Sequence, residues 1–267
     1  MREELTRQLH RRQTRLVLLA MVLIPVALAA VYALRDQPGV AAGATPDLER
    51  LASTSALAFT AFVAYVCGPL LLVAVGAFFA GDCIASESGW GTLRYLLAAP
   101  VRRSALFRRK LLGAVLLTTL AAGLLFLTAL LAGWVCFGWH ALMTPVGGTI
   151  ATEDAAARVI AAVGYIVLQV FPFVAIALLV SVCVDSPLAA VGASVGFAVL
   201  AQIADAVAAL GRARIVLPTH YAYGWTDLFV DPPSYDDVAA GSLQAVIYTV
   251  AALSIAAWRF ARRDITS

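Results

Sequence analysis

Few residues in this chain could do chemistry, and those that could are set inside apolar sequence. Gln169, Gln202 and Asp205, and farther on Gln244 and Tyr248, interrupt stretches that are otherwise almost wholly aliphatic. A polar group in hydrocarbon is costly unless it lines a hydrated path or bonds to another segment. Gln169, Gln202 and Asp205 are therefore the candidate lining of a path. Interhelical hydrogen bonding is the alternative for the two glutamines. Asp205 lies near the end of its stretch, and the plainer reading is that it reaches water or pairs with Arg212.

Catalytic constellations are not expected. The acids are scattered through connecting segments: Glu153, Asp154, Asp227, Asp231, Asp236 and Asp237 in one set, Asp82 and Glu87 in another. The spacing joins no nucleophile to a base, so no catalytic residue is assigned. The four cysteines, Cys67, Cys83, Cys136 and Cys183, form no CxxC or Cys/His pattern, so no metal site is expected. His220 stands alone and reads as a structural hydrogen-bonder. There is no GxxxxGK[ST] phosphate loop, so no cofactor is expected on this chain and ATP would have to be used elsewhere.

The elements that must carry these residues are membrane spans. The chain is 62% hydrophobic and 13% charged over 267 residues, against about 45–50% and about 25% in a soluble domain. Six apolar segments are long enough to cross a bilayer: about 16–34, 56–80, 111–138, 159–184, 188–210 and 241–258. They leave room for one transmembrane domain over 1–267 and nothing more. Gly68–Pro69 predicts a kink in the middle of the second span. Residues 1–15, with five arginines, read either as a basic helix lying on the membrane surface or as a merely positive N-terminal segment. Residues 211–240 form a polar and aromatic segment that reads from its residues as an interfacial belt.

The distribution of charge orients the spans. Fourteen of the nineteen lysines and arginines fall before the first span, between the second and third, or after the sixth; five fall on the other side. Basic residues next to short loops mark the cytoplasmic face, so both termini and the 81–110 loop are expected inside. All basic clusters flank apolar spans, so a nucleic-acid partner is not expected.

That loop holds a short helix of its own. Leu93, Leu96 and Leu97 share one helical face, Thr92 stands at its start and Pro100 ends it. An exposed apolar face in a cytoplasmic loop suits either a partner's groove or the membrane surface.

Glu87, Gly91-Thr92-Leu93, Leu96-Leu97, Pro100 and Arg103, followed by Arg109-Lys110 opening a new span, resemble the membrane subunits of type-2 ATP-binding-cassette (ABC) exporters. Ser186-Pro187, the Leu217-Pro218-Thr219-His220-Tyr221 segment and the closing Phe260-x-Arg262-Arg263-Asp264 extend the similarity over essentially the whole chain. The resemblance implies an all-α, six-span permease with cytoplasmic termini, a coupling helix between spans two and three, and in 211–240 a short re-entrant hairpin capping the outer mouth, which is compatible with an interfacial belt. It implies a cytoplasmic ABC ATPase partner holding ATP and magnesium, and a second permease subunit, identical or homologous. Glu87, Gly91, Thr92, Leu93, Arg94, Tyr95, Leu96 and Leu97 would then dock the ATPase. The implied role is export across the cytoplasmic membrane; the matching motifs identify no substrate, and the mostly apolar spans suit a hydrophobic or amphipathic cargo, such as a drug, antibiotic, lipid or peptide-like molecule. The alternatives are a membrane assembly or regulatory protein that pumps nothing, and an ion-coupled carrier. The carrier would need a midplane acid or broken helices at matched positions in the two halves; Asp205 is off-centre and has no counterpart in the first three spans.

Overall fold

The computed structural model describes residues 10–34, 51–89, 103–143 and 149–262. The helices run as α1 (Arg12–Ala33), α2 (Ala56–Cys67), a π-turn (Gly68–Leu72), α3 (Val73–Gly89), α4 (Arg103–Phe137), α5 (Thr152–Cys183), α6 (Pro187–Ala206) and α7 (Asp236–Arg262). A two-residue antiparallel pairing, β1 (Leu142–Met143) with β2 (Thr149–Ile150), follows α4. Among the described residues six helical segments are long and apolar enough to cross a membrane, α2, the π-turn and α3 together making one of them. The protein is an all-α, multi-pass membrane protein.

Several helices outrun the apolar stretches that announce them. Span three begins at Arg103, so Arg103, Arg108, Arg109 and Lys110 ride on α4 rather than in a loop. At about 1.5 Å per residue the 35 residues of α4 reach about 52 Å, well beyond a hydrocarbon core of about 30 Å. Hydropathy marks only the lipid-immersed part of such a helix. α1 likewise starts at Arg12, inside the basic segment read as a surface helix; residues 1–9 of that segment lie outside the described residues.

Gly68–Pro69 gives a π-turn in place of a simple kink. Proline has no N–H to return to the preceding turn, and a wider turn lets the helix continue past it. Ser55 starts the span, its hydroxyl accepting from the Ala58 N–H at 3.2 Å.

α5 is the centre of the bundle and packs against α3, α6 and α7; α1 packs on α4. Lipid offers little hydrophobic force between helices, so close packing of small residues holds them together. Ala114, Ala121 and Ala129 of α4 are fully buried. A methyl added at Gly76 of α3 would come within 2.8 Å of Val174 and 3.2 Å of Thr118, so three helices converge on that one hydrogen. The reverse faces present large aliphatics outward, among them Leu16, Leu19 and Leu23 on α1 and Leu243, Ile247 and Val250 on α7.

Candidate functional site: the two ends of the bundle

Side chains from five helices assemble one end. Arg11 pairs with Asp82, the Cys83 thiol approaches the Lys110 carbonyl at 3.7 Å, and the rings of Phe107 and Phe260 lie 5.7 Å apart. Arg262 stacks over Trp258 at 4.6 Å. A cavity of about 830 Å³ opens here among Arg11, Arg12, Phe78, Asp82, Asp185 and Val191. The elements meeting here carry nine of the described basic residues: Arg11, Arg12, Arg15, Arg103, Arg108, Arg109, Lys110, Arg259 and Arg262. Arg158, Arg212 and Arg214 belong to the opposite end. Glu87 falls in the last turns of α3, at this basic end. Gly91, Thr92, Leu93, Arg94, Tyr95, Leu96 and Leu97 lie outside the described residues, in the 90–102 connection from α3 to α4.

The opposite end is closed by the segment between α6 and α7, which forms two 3₁₀ turns, Ala208–Val216 and Gly224–Phe229. α5 and α7 hold its backbone through their side chains, and α6 holds two of its side chains. From α5, the Tyr165 hydroxyl donates to the Tyr221 carbonyl at 2.6 Å, and Arg158 donates to the carbonyls of Leu228 and Val230, each at 3.1 Å. From α7, Gln244 donates to the Ile215 carbonyl at 2.7 Å and Tyr248 donates to that of Val216. From α6, the Asp205 carboxylate meets His220 Nδ1 at 2.6 Å, and the Asp205 carbonyl accepts from Arg214 at 3.0 Å.

Asp205 keeps about a quarter of its side chain exposed, in line with the expectation that it reaches water, but its partner is His220 and not Arg212. Arg212 is nearer in sequence, but the chain turns at Gly211, where φ is +49°, and brings His220 back to the carboxylate. The aromatic segment is not simply an interfacial belt. Trp225 and Leu228 are buried in the bundle end, and Tyr223 packs on Tyr65 with ring centroids 5.0 Å apart. Burial raises the Tyr223 phenol above its ordinary pKa, with Tyr65 adding to the shift. Asp227 is raised above its ordinary 3.8, first by partial burial and then by the charge of Asp237.

Beneath the cap, Gly68, Pro69, Gln169, Gln202, Thr219 and Trp225 line a cavity of about 20 Å³. That is room for about one water molecule and none for an organic one. Gln169 and Gln202, from α5 and α6, are thus brought to one place, while Asp205 stands apart at the cap. Gln169 donates to the Tyr165 hydroxyl one turn away at 2.7 Å and so supports the cap through that ring. The Thr219 hydroxyl is buried without a hydrogen-bond partner.

Tyr165 and Arg158 are the residues that sequence reasoning missed. Tyr165 looks like one more aromatic in an apolar run. Its signal is at a distance: a methyl at Gly241 would fall 2.1 Å from its hydroxyl and 2.6 Å from the Tyr221 Cβ, so α7 reaches this node only through a glycine. Among the described residues there is no group of three or more His, Cys, Asp or Glu that could hold a metal.

The family model described as ABC-2 family transporter protein matches residues 2–265. No curated protein matches the chain.

Proposed function

Since the chain belongs to the ABC-2 transporter family, whose members are membrane permeases of ABC transporters and not themselves catalysts, we propose that it is the permease subunit of an exporter in the cytoplasmic membrane. The cargo class is hydrophobic or amphipathic. A separate ABC ATPase, holding ATP and magnesium, docks on the end of α3 and the 90–102 connection through Glu87, Gly91, Thr92, Leu93, Arg94, Tyr95, Leu96 and Leu97. A second permease subunit completes the path, and Gln169, Gln202 and Asp205 are its polar residues on this chain.

The observation that carries this reading is the difference between the two ends. One is basic, open and joined to the loop between α3 and α4. The other is shut by a segment hydrogen-bonded to α5, α6 and α7. Basic residues favour the cytoplasmic side, so the open end faces the ATPase and the capped end faces outward. ATP binding would draw the ATPases together and push the loop; the bundle would then open outward by breaking the ties at the cap, and hydrolysis would reset it.

The test is to purify the permease in detergent from its native membrane and ask whether an ABC ATPase comes with it. The expected result is a stoichiometric ATPase whose turnover depends on the permease. Permease recovered without any ATPase, in membranes showing no permease-dependent hydrolysis, would return the protein to the non-pumping alternative.

A further inference from the structure

Ser181 is fully buried in the last turn of α5. Its hydroxyl donates to the Gly81 carbonyl at 2.8 Å and accepts from the Ala85 N–H at 2.9 Å. Gly81 and Ala85 both belong to α3 and are four residues apart, the carbonyl and N–H that an α-helix bonds to each other. A hydroxyl from another helix therefore stands at one rung of α3. Hydroxyls inside helices ordinarily bond back to their own i−4 carbonyl. Thr118 and Thr128 do so toward Ala114 and Leu124, and Ser254 toward Val250. Ser181 turns to the neighbouring helix.

The position of that rung gives it consequence. Ala85 is four residues before the end of α3 at Gly89, and the 90–102 connection follows. A helix end fraying into a loop has unsatisfied carbonyls and opens easily unless something holds it. Gly81 is also pressed against α6: a Cβ there would lie 2.8 Å from Val191 Cγ2 and 3.2 Å from the Val191 nitrogen. The rung is thus gripped by α5 through hydrogen bonds and by α6 through backbone contact.

We propose that Ser181 is a positioning residue, a hydroxyl clamp that makes the end of α3 move as one piece with α5 and α6. A displacement of the 90–102 loop then passes into the bundle instead of being absorbed as local opening of the last turns of α3. The part about transmission rests on the exporter reading above; the clamp itself does not.

Ser181→Ala separates the two parts, because Gly81 and Ala85 can still bond to each other and the variant keeps its fold. In purified permease, amide hydrogen exchange over 82–89 is expected to speed up about tenfold in Ser181→Ala, the loss of one to two net hydrogen bonds. The outer half of α5 is expected to be unchanged. Ser181→Thr, which keeps the hydroxyl, restores protection. Exchange within twofold of wild type in the alanine variant overturns the clamp.

In the complex with its ATPase, adding ATP should change exchange in α5 and α6 of the wild type, and only in the loop and α3 of Ser181→Ala. An ATP response that still reaches α5 and α6 in the alanine variant overturns the transmission role while leaving the exporter reading intact. Wild-type permease that binds no ATPase removes the exporter reading and the transmission role together, and leaves the clamp to the exchange result alone.

Discussion

Nδ1 of His220 lies 2.6 Å from Oδ1 of Asp205, joining the end of α6 to the middle of the capping segment. The two residues are fifteen apart in sequence, and the turn at Gly211 makes them neighbours. Both side chains are about a quarter exposed, so the pair is a modest bond at a strategic place.

Breaking that pair should loosen the cap without unfolding the bundle. Asp205→Ala and His220→Ala are each expected to cost about 1 kcal/mol, and the double variant no more than either single one. Thermal melts of the four proteins give the coupling. Hydrogen exchange should locate the change in residues 208–230.

Gly241 and Tyr165 should be strongly coupled. Gly241→Ala puts a methyl 2.1 Å from the Tyr165 hydroxyl, and overpacking of this kind is expected to cost about 1–3 kcal/mol. Tyr165→Phe alone loses the bond to the Tyr221 carbonyl and the one accepted from Gln169, about 2–3 kcal/mol in total. Together they should cost less than the sum, because removing the hydroxyl makes room for the methyl. Strict additivity in denaturation experiments would refute this packing.

Asp227 supplies a pH dependence. Its pKa is raised in the folded protein, so the folded state holds that proton more tightly than the unfolded chain. The contribution is therefore neutral below the ordinary carboxylate value of 3.8 and becomes destabilising as pH rises through the raised value. Asp227→Asn should melt at the same temperature as wild type under acid conditions and above it at neutral pH. The reverse order at neutral pH would show that the carboxylate is stabilised there.

Leu96→Asp combined with Leu97→Asp should lower the recovered ATPase by more than about tenfold, since an apolar anchor in a groove carries much of a docking energy. Membrane insertion and yield of the permease should not change. Undiminished ATPase binding would move the leucine face to the lipid surface.

The sequence by itself determined the class of protein and the number of spans. Both follow from a long-range sum, the apolar length needed to cross lipid, which does not depend on how helices pack. The similarity carried by Gly91-Thr92-Leu93 and the segments after it also pointed to the family that the match over 2–265 establishes. Helix ends were less legible. α4 continues to Arg103 because hydrogen bonding, not hydropathy, decides where a helix stops.

Tertiary structure alone decided which polar residues meet. Gln169 and Gln202 face one cavity because α5 and α6 cross there, and Asp205 found His220 rather than Arg212 because the backbone reverses between them. The roles of Tyr165 and Ser181 were beyond reach of the sequence for the same reason. A hydroxyl in an apolar run is satisfied by its own helix or by another, and only the distance to the neighbouring backbone tells which. Ser181 is separated from Gly81 by 100 residues and from Ala85 by 96, and local periodicity holds no information about such a pair.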